Sequence, residues 1–419
     1  MRLSKIIIGF IIPVVFWASC VSIQPTGILP NYSSHYNPAN SVLNPEYQLY
    51  RYSSNLARLY LKLNTNELKF SSANTDAQYR AEIKISYLVT PSFTDKTIID
   101  SSSQIIKLKY NKRQNQLVTS IDLSTGHLKD YVVYVKLTDK NSFKESRNFC
   151  LGSNMIKDNH QQYLIKRMNQ KPVFTSYLNT HDTFYVKNNT PGLEQIFISK
   201  YSQSFGIASP PFNTTNTPES VETYDLTYSL PYKNGNSIFL IREPGLYKLQ
   251  TDTTVEGGKI IYVGDPDFPN ITSVQKLMEP LQYLLNTSEY DSIRTKDNRK
   301  LEIDKFWLRA AGNKDKAGQL IQVWYTRVKY ANYYFSSFKP GWKTDRGMIF
   351  IMFGPPDILN YSDEGEHWVY RSKSKAKTEM TFIKQQHKIS ENDYVLKRKS
   401  YYTTWWYKAV RSWRSGVIY

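Results

Sequence analysis

Cysteine is almost absent from this sequence, which has Cys20 and Cys150 as its two examples in 419 residues. Two cysteines allow at most one disulfide, and none if Cys20 is used otherwise, so a small scaffold held together by disulfides is excluded. Cys150 stands between Phe149 and Leu151, with no histidine beside it. We therefore predict that Cys150 is a small buried core residue rather than a catalytic thiol.

Histidine is also scarce, and its six examples are isolated from one another. They are His35, His127, His160, His181, His367 and His387. No pair has the spacing of zinc ligands, and the sequence contains no HExxH, GxSxG or P-loop motif. We therefore expect no metal, no cofactor and no catalytic residue of these familiar kinds.

Acidic residues are outnumbered, because 36 Asp and Glu face 54 Lys and Arg, which gives a formal net charge of +18. Such an excess indicates affinity for something anionic, such as nucleic acid, anionic lipid, or an acidic glycan or protein. The alternative is a solvated surface rich in lysine, since the lysines are scattered along the chain. A disordered chain is excluded, because 40% of the residues are hydrophobic and 14% are aromatic.

Long hydrophobic runs are missing apart from residues 6–18, which are too few to cross a bilayer comfortably. Arg2 and Lys5 precede this run and form a short positive region. A positive start followed by an apolar stretch of this length is typical of a signal peptide. Residues 1–19 are therefore predicted to be a signal peptide.

The signal peptide ends in small residues, Ala18 and Ser19, followed by Cys20. This segment resembles a bacterial lipobox, which implies cleavage before Cys20 and acylation of that residue, although Trp17 stands where such sequences usually have Leu. Two or three acyl chains anchor a protein firmly in a bilayer. A plain secretory signal and a short anchor helix are the alternatives.

The residues after Cys20 bear on its destination. No Asp follows Cys20, and residues 21–27 contain no acidic run. The lipobox resemblance then implies retention in the outer membrane, facing the periplasm, where nucleic acid is excluded as a partner. We expect the positive charge to meet components of the cell envelope instead.

Residues 20–48 are rich in Pro, Asn and Ser and are predicted to be a flexible tether. Residues 49–152 and 170–265 contain several short segments in which apolar and polar residues alternate, separated by turn signals. Both regions are therefore predicted to be β-sandwiches. The predicted fold class is mixed, with tandem all-β, Ig-like sandwich domains followed by an α+β domain of helices plus an antiparallel β meander over residues 270–419.

Helical patterns begin after residue 270, over residues 273–287 and 298–312. The clearest helix follows Asn313, a predicted N-cap, and carries one apolar stripe. The stripe consists of Leu320, Trp324, Val328, Ala331, Phe335 and Phe338. Pro340 and Gly341 are predicted to end this helix. Strands are predicted near residues 347–353, 367–371, 379–384 and 394–399.

The most distinctive segment runs from Gly341 to Gly347 and is followed by an FGPPD sequence that ends at Asp357. With its flanks it resembles the GWxTD-domain family over roughly residues 270–419. The motif residues that carry the resemblance are Gly341, Trp342, Thr344, Asp345, Arg346, Gly347, Gly354, Pro355, Pro356, Asp357, Trp368 and Tyr370. The flanking residues that also match are Phe306, Trp307, Arg327, Asn332 and Glu366. The resemblance implies an exported, often lipidated protein of a two-membrane bacterium, and it implies no particular activity.

The motif is predicted to be a structural corner in which Gly341 gives the backbone freedom to reverse after the long helix. Trp342 is expected to cover the helix end. Thr344 and Asp345 are expected to accept backbone N–H groups in a turn. Arg346 is expected to pair with one of three carboxylates: Asp345, Glu364 or Glu366. A site at which other proteins bind is the alternative interpretation of the same residues.

A second alternative is a hydrolase site. Asp345, Asp357 and His367 could act as general acid and base if the fold brought them together at one end of the meander. Residues 404–416 raise a separate choice, because their Trp and Arg residues separate onto two helical faces. This helix is predicted to pack its Trp face on the core, and the alternative is a basic helix resting on anionic lipid headgroups.

Together these observations favour a non-enzymatic, lipid-anchored scaffold or accessory subunit of an envelope assembly or secretion machine. Its expected partners are the outer membrane, through the lipid on Cys20, and other envelope proteins. The alternatives are a module that binds peptidoglycan or lipopolysaccharide through Lys, Arg and exposed Tyr, and the hydrolase described above.

Overall fold

A computed structural model describes ten segments of the chain: residues 31–37, 41–72, 79–154, 159–201, 205–215, 224–255, 257–371, 377–385, 390 and 392–419. The predicted signal peptide and Cys20 lie outside the described residues, as does His387. In the described segments, no helix combines the length and the apolar character needed to cross a bilayer.

The first β-sandwich consists, within the described residues, of two antiparallel sheets with strand orders β1-β2-β5 and β4-β3-β6-β7. Its strands are β1 (Glu46–Arg51), β2 (Leu56–Asn64), β3 (Arg80–Thr90), β4 (Asp100–Lys109), β5 (Gln116–Ser124), β6 (Asp130–Asp139) and β7 (Glu145–Ser153). Strand β2 alternates buried and less buried side chains, so Leu59 and Leu61 meet Ile83 and Ile85 of the facing sheet in one core.

Cys150 on β7 packs against this core. Burial raises the pKa of its thiol to about 12, so the thiol stays protonated and unreactive at neutral pH. The prediction that Cys150 is a core residue is confirmed.

The second sandwich has the strand orders β13-β10-β8 and β12-β11-β14-β15-β9. Its strands are β8 (Tyr163–Arg167), β9 (Tyr177–Asn179), β10 (Thr183–Asn188), β11 (Gln195–Tyr201), β12 (Leu226–Pro231), β13 (Ser237–Leu240), β14 (Gly245–Gln250) and β15 (Lys259–Gly264). Strands β15 and β9 are parallel, whereas the other pairs are antiparallel. Phe184, Ile198 and Leu249 lie in the core between the two sheets.

The last part of the chain combines helices with a four-stranded antiparallel meander. Its helices are α1 (Val274–Met278), α2 (Thr287–Arg294), α3 (Arg299–Ala311), α4 (Lys314–Phe335), α5 (Asp345–Phe353) and α6 (Tyr402–Arg414). Its strands, in spatial order, are β16 (Ile358–Ser362), β17 (Gly365–Arg371), β18 (Lys377–Lys384) and β19 (Tyr394–Leu396). The predicted fold class, two β-sandwiches followed by an α+β region, is confirmed.

Helix α4 begins as predicted, because the Asn313 side chain accepts a hydrogen bond from the backbone N–H of Lys316. The apolar stripe from Leu320 to Phe335 is buried. Phe338 lies beyond the helix end and packs on Phe205 of the second sandwich, with ring centroids 4.8 Å apart.

The strand predicted over residues 347–353 is wrong, because these residues belong to α5. Every residue of α5 is buried, and its residues 348–353 are all apolar, so this run has no helical period that could reveal the helix. Thr344 caps the helix and Asp345 lies in its first turn. These two polar residues favour a helix over a strand at this point, since both stabilise a helix N-terminus.

The prediction of a flexible tether is also wrong for residues 31–37. Ser33–Tyr36 is a short 3-10 helix, and Tyr32 and Tyr36 are both buried. The Tyr32 backbone N–H donates to the carbonyl of Leu359 on β16, at 2.8 Å. Residues 31–37 are thereby added to the edge of the meander, although more than 300 residues separate them from β16 along the chain.

Candidate functional site

Residues 341–347, which we call the motif corner, join α4 to α5. Gly341–Lys343 is a single 3-10 turn, and Thr344 follows as the N-cap of α5. The Thr344 hydroxyl donates to the carbonyl of Gly341 at 2.7 Å and accepts from the N–H of Gly347 at 3.1 Å. The short polar side chain thus fixes both sides of the turn, as its sequence predicted.

The two glycines of the motif corner are required by close packing of the backbone. A Cβ atom on Gly341 would lie 1.9 Å from the carbonyl oxygen of Ala331 on α4. A Cβ atom on Gly347 would lie 1.9 Å from the carbonyl oxygen of Gly341. The predicted reason for Gly341, freedom of the backbone dihedral angles, is therefore replaced by a steric one.

Trp342 is buried, with 4% of its surface exposed, and is bonded through its backbone. Its N–H donates to the side-chain oxygen of Asn332 on α4, at 3.1 Å. Its carbonyl accepts from the hydroxyl of Tyr283, at 2.9 Å. Trp342 therefore covers the end of α4, as predicted, and fastens the segment before α2 to it.

Asp345 forms a buried bidentate ion pair with Arg398. Its two carboxylate oxygens lie 2.6 and 2.9 Å from the two terminal nitrogens of Arg398, and one also accepts from the N–H of Leu396 at 2.7 Å. The side chains are 10% and 6% exposed. Asp345 therefore ties the start of α5 to β19 and to the segment that follows it.

Arg346 pairs with Glu366, one of the three carboxylates that the sequence allowed. The two groups lie 2.5 Å apart and are almost completely buried. Glu366 also accepts from the hydroxyl of Tyr36 at 2.9 Å and from the indole N–H of Trp368 at 2.7 Å. Arg346 donates in addition to Asn392 and lies over the ring of Tyr394. Both charges are therefore matched and hydrogen-bonded.

Burial alone would lower the pKa of Arg346, but the charge of Glu366 and the hydroxyls of Tyr36 and Tyr394 outweigh it. The pKa of the guanidinium is consequently raised above its ordinary value. The pKa of Tyr36 is raised well above its ordinary value, first by burial and then by the charge of Glu366. Tyr36 thus remains a neutral hydrogen-bond donor at any pH that the fold tolerates.

The FGPPD turn after α5 is held by Arg327. Gly354 has φ of +80°, and a Cβ atom there would lie 2.9 Å from a terminal nitrogen of Arg327. Arg327 donates to the carbonyl of Ile351 at 3.0 Å, and the Tyr370 hydroxyl donates to the carbonyl of Gly354 at 2.9 Å. Burial lowers the pKa of Arg327 to about 10.

The rest of this turn leads to the surface. Pro355 is half-buried, Pro356 is buried and Asp357 is exposed. The Asp357 carboxylate accepts from the N–H of Arg371 at 2.6 Å. This hydrogen bond joins β16 and β17 at the open end of their hairpin. The two consecutive prolines also restrict the backbone of this turn.

The three residues proposed for hydrolysis have separate partners. Asp345 is engaged by Arg398, whereas Asp357 lies on the Arg371 N–H. His367 is half-buried on β17 and lies near Thr381 and Glu379 of β18. In the part of the chain that the structure describes, no group of three or more His, Cys, Asp or Glu side chains is arranged to hold a metal ion.

Several residues that complete the motif corner could not be found from the sequence. Tyr36 lies in the segment predicted to be a tether, and Arg398 is 53 residues from Asp345. The loop of residues 205–212 comes from the second sandwich. Its carbonyls at Phe205 and Ser209 accept from Lys343 and Arg398, at 3.2 Å each. These contacts are set by the tertiary fold, and no local pattern encodes them.

Comparison with known proteins identifies a domain in the last part of the chain. The sequence pattern of the GWxTD domain matches residues 245–415, and no curated protein matches the chain. Among solved structures, the crystal structure of CBD12 from CALX1.2 is similar over 59% of this chain and 86% of that chain, at 8% identity and a TM-score of 0.14. A likeness this weak supports no conclusion.

The family match starts at Gly245, on β14 of the second sandwich, rather than at the expected residue 270. It therefore includes two of the strands that lie beside the loop covering the motif corner. The motif corner, both of its buried ion pairs and helix α6 up to Ser415 fall within the match. This chain carries a GWxTD domain over residues 245–415.

Proposed function

We propose that this protein is exported, acylated at Cys20 and held in the outer membrane facing the periplasm. There it serves as a non-enzymatic scaffold or accessory subunit of an envelope assembly or secretion machine. The positive start, the apolar stretch of residues 6–18 and the small residues before Cys20 support export and acylation.

The observation that carries the scaffold proposal is the burial of the motif corner. Thr344, Asp345 and Arg346 are each buried, and each has its polar atoms bonded to other parts of the chain. A general acid or base must reach a substrate proton, and these groups are covered. Their role is best explained as joining elements.

The motif corner joins three regions into one unit. Tyr36 connects residues 31–37 to Glu366, and the loop of residues 205–212 connects the second sandwich to Arg398. Near Tyr36, at the turn between β16 and β17, the Asp363 carboxylate accepts from the N–H of Phe93 in the first sandwich, at 2.9 Å. A protein built this way presents both sandwiches in a fixed arrangement, which suits a scaffold.

We place the protein-binding surface on an edge of the first sandwich, since the motif corner is covered. Strand β4 lies at a sheet edge, is ten residues long and pairs with β3 on one side. Its outward-facing Ile105 is half exposed. An edge strand offers free N–H and C=O groups to a strand of another protein, and an exposed apolar side chain adds to the contact.

Acylation is tested by labelling cells with a fatty-acid analogue. We expect the label on the wild-type protein and on Cys150→Ser, and its loss from Cys20→Ser together with release of that variant from the membrane fraction. The two substitutions remove the same group from the two cysteines of the chain, so each controls for the other. Mass spectrometry that found an intact N-terminus on an unacylated chain would refute the anchor.

The scaffold role is tested by purifying the lipidated protein from solubilised envelopes. We expect one or more envelope proteins in stoichiometric amounts, and their loss with Ile105→Asp. Ile98→Asp is the matched control, because Ile98 is also exposed, at 60% against 50% for Ile105, but precedes β4. Recovery of the protein without any stoichiometric partner would contradict the proposal, and equal loss with both variants would contradict the choice of surface.

A further inference from the structure

Residues 394–419 contain six Lys and Arg and no Asp or Glu. Two of these cations are used in ion pairs, Arg398 with Asp345 and Arg414 with Glu289. Lys397, Lys408 and Arg411 are exposed and make no ion pair with any described residue. Positive charge without a matching carboxylate is therefore concentrated on this part of the GWxTD domain.

Helix α6 holds two of these cations, Lys408 and Arg411, in a fixed position. Trp406, Ala409 and Trp413 are buried in the core of the domain, and the Trp413 indole donates to the carbonyl of Met352 at 3.0 Å. The core-packing prediction for this helix is thus confirmed. Lys408 and Arg411 lie on the opposite side and point outward, and we call this surface the basic face.

A shallow depression of about 440 Å³ lies on the basic face. It is lined by Lys408, Arg411, Ser412, Arg414 and Ser415. All five side chains are hydrogen-bond donors and none is a carboxylate. Three carry a positive charge, of which that of Arg414 is paired with Glu289 and those of Lys408 and Arg411 are not paired with any described residue. This donor set matches the oxygens of a phosphate group.

Helix α6 and the segment that follows it also carry exposed apolar side chains close in sequence to the residues that line the depression. Tyr407 on α6 is 48% exposed, and Val417 and Ile418 follow the helix with 53% and 42% exposed. The Val417 N–H donates to the carbonyl of Ser412, which keeps this segment beside the helix. Cations next to an amphipathic ring and aliphatic side chains suit the boundary between lipid headgroups and acyl chains.

The helix dipole explains only part of this arrangement. Arg411 and Arg414 lie in the last turn of α6, where cations stabilise a helix by interacting with its free carbonyls. Lys408 lies before that turn, and the dipole gives no reason for three apolar side chains to remain exposed beside it.

We propose that the basic face docks on a bilayer surface that contains anionic phospholipids, with headgroup phosphates in the depression. Each exposed cation close to such a surface strengthens the attachment, and salt weakens it. The contact involves side chains of α6 and is independent of acylation at Cys20, so either proposal can fail while the other stands.

The test measures partitioning of the full chain onto vesicles of phosphatidylcholine and onto vesicles of phosphatidylcholine mixed with phosphatidylglycerol. The ratio of the two partition coefficients cancels the apolar contribution of residues 6–18, and the charges of Arg2 and Lys5 are the same in every variant compared. We expect a ratio well above one that falls with added salt. Lys408→Gln with Arg411→Gln should lower it by roughly 25-fold, or about five-fold for each cation removed.

Lys112→Gln with Arg113→Gln is the matched control, because it removes the same charge from exposed residues of the first sandwich. This pair should leave the ratio within about two-fold of wild type. Both pairs of residues are solvent-exposed, so both variants should fold, and thermal unfolding of each variant is the measurement that checks this. An unchanged ratio for the α6 pair, an equal loss for the control, or displacement by inorganic phosphate alone would overturn the proposal.

Discussion

The motif corner and the basic face belong to the same domain and are both rich in charged residues. The charges are buried and paired in the motif corner, and exposed and not paired with any described residue on the basic face. In the motif corner, Asp345 and Arg346 each meet an opposite charge that is as deeply buried as they are. On the basic face, Lys408 and Arg411 are exposed and meet no carboxylate among the described residues. Neighbouring parts of one sequence thus use the same residue types for different purposes.

The difference follows from the cost of taking a charge out of water. A buried charge without a partner costs several kcal/mol, so each one in the motif corner specifies where its partner must be. An exposed cation keeps its hydration and costs little, so it need not be matched within the chain. Paired buried charges therefore stabilise one fold, and unpaired exposed charges are available to bind a partner.

The largest expected effect comes from breaking the Arg346–Glu366 pair. Glu366→Gln leaves the guanidinium buried without a counter-charge, and we expect the free energy of unfolding to fall by about 3–5 kcal/mol. Urea unfolding followed by Trp fluorescence measures this. Arg346→Met combined with Glu366→Gln should recover part of the loss, because it removes both charges. A loss below about 1 kcal/mol for the single variant would mean that the pair is effectively solvated.

The next effect concerns the backbone contact beneath the motif. Gly341→Ala places a methyl group 1.9 Å from the Ala331 carbonyl, so α4 and α5 must separate. We expect a loss of about 1–3 kcal/mol in the free energy of unfolding. Gly318→Ala is the control, because Gly318 lies within α4 and a Cβ atom there meets nothing within 4 Å. It should stabilise the protein by up to about 1 kcal/mol. Equal effects of the two variants would contradict the steric explanation.

Periodicity in the sequence located most of the architecture. Alternation predicted both sandwiches, and a 3.6-residue period predicted α4 and the buried face of α6. The same reasoning failed for α5, since an apolar run that is buried on every side has no period to detect. It failed again at Tyr32 and Tyr36, because a Pro- and Asn-rich context said nothing about a docking site more than 300 residues away.

The candidate site was predictable to the extent that it is local. The turn chemistry of Thr344 and the covering role of Trp342 follow from their own neighbours in sequence. The Arg346 partner could be narrowed to three carboxylates, and the register of β17 then selected Glu366. Arg398 was missed, because a buried pair across 53 residues leaves no mark in a single sequence.

A smaller effect is expected from pH at the junction between the first sandwich and the meander. His35 lies between the rings of Phe149 and Tyr361, and burial lowers its pKa to about 4. The unfolded chain, with an ordinary histidine pKa near 6.5, binds the proton more readily than the folded one. This contribution is therefore complete above about pH 6.5 and is lost as the pH falls, by roughly 2 kcal/mol at about pH 5 and by more as the pH approaches 4.

His35→Phe keeps an aromatic ring in this position and removes the titrating group. Its free energy of unfolding should lose less than the wild type between pH 7 and pH 4.5, as measured by urea unfolding at each pH. Other groups titrate in the same interval, so the difference between the two proteins is the relevant quantity. Parallel pH profiles would show that His35 is not held neutral by its surroundings.

The smallest effect is expected at the exposed counterpart of the buried pairs. Arg414 and Glu289 are bonded at 2.6 Å, but their side chains are 38% and 35% exposed. Water already solvates both groups, so Arg414→Gln should cost only about 0.2–1 kcal/mol and less at high salt. Since Arg414 also lines the depression on the basic face, the same variant should weaken partitioning onto anionic vesicles. A stability loss as large as that of Glu366→Gln would show that burial does not separate the two kinds of charge, and it would remove the basis for assigning the exposed cations to a partner.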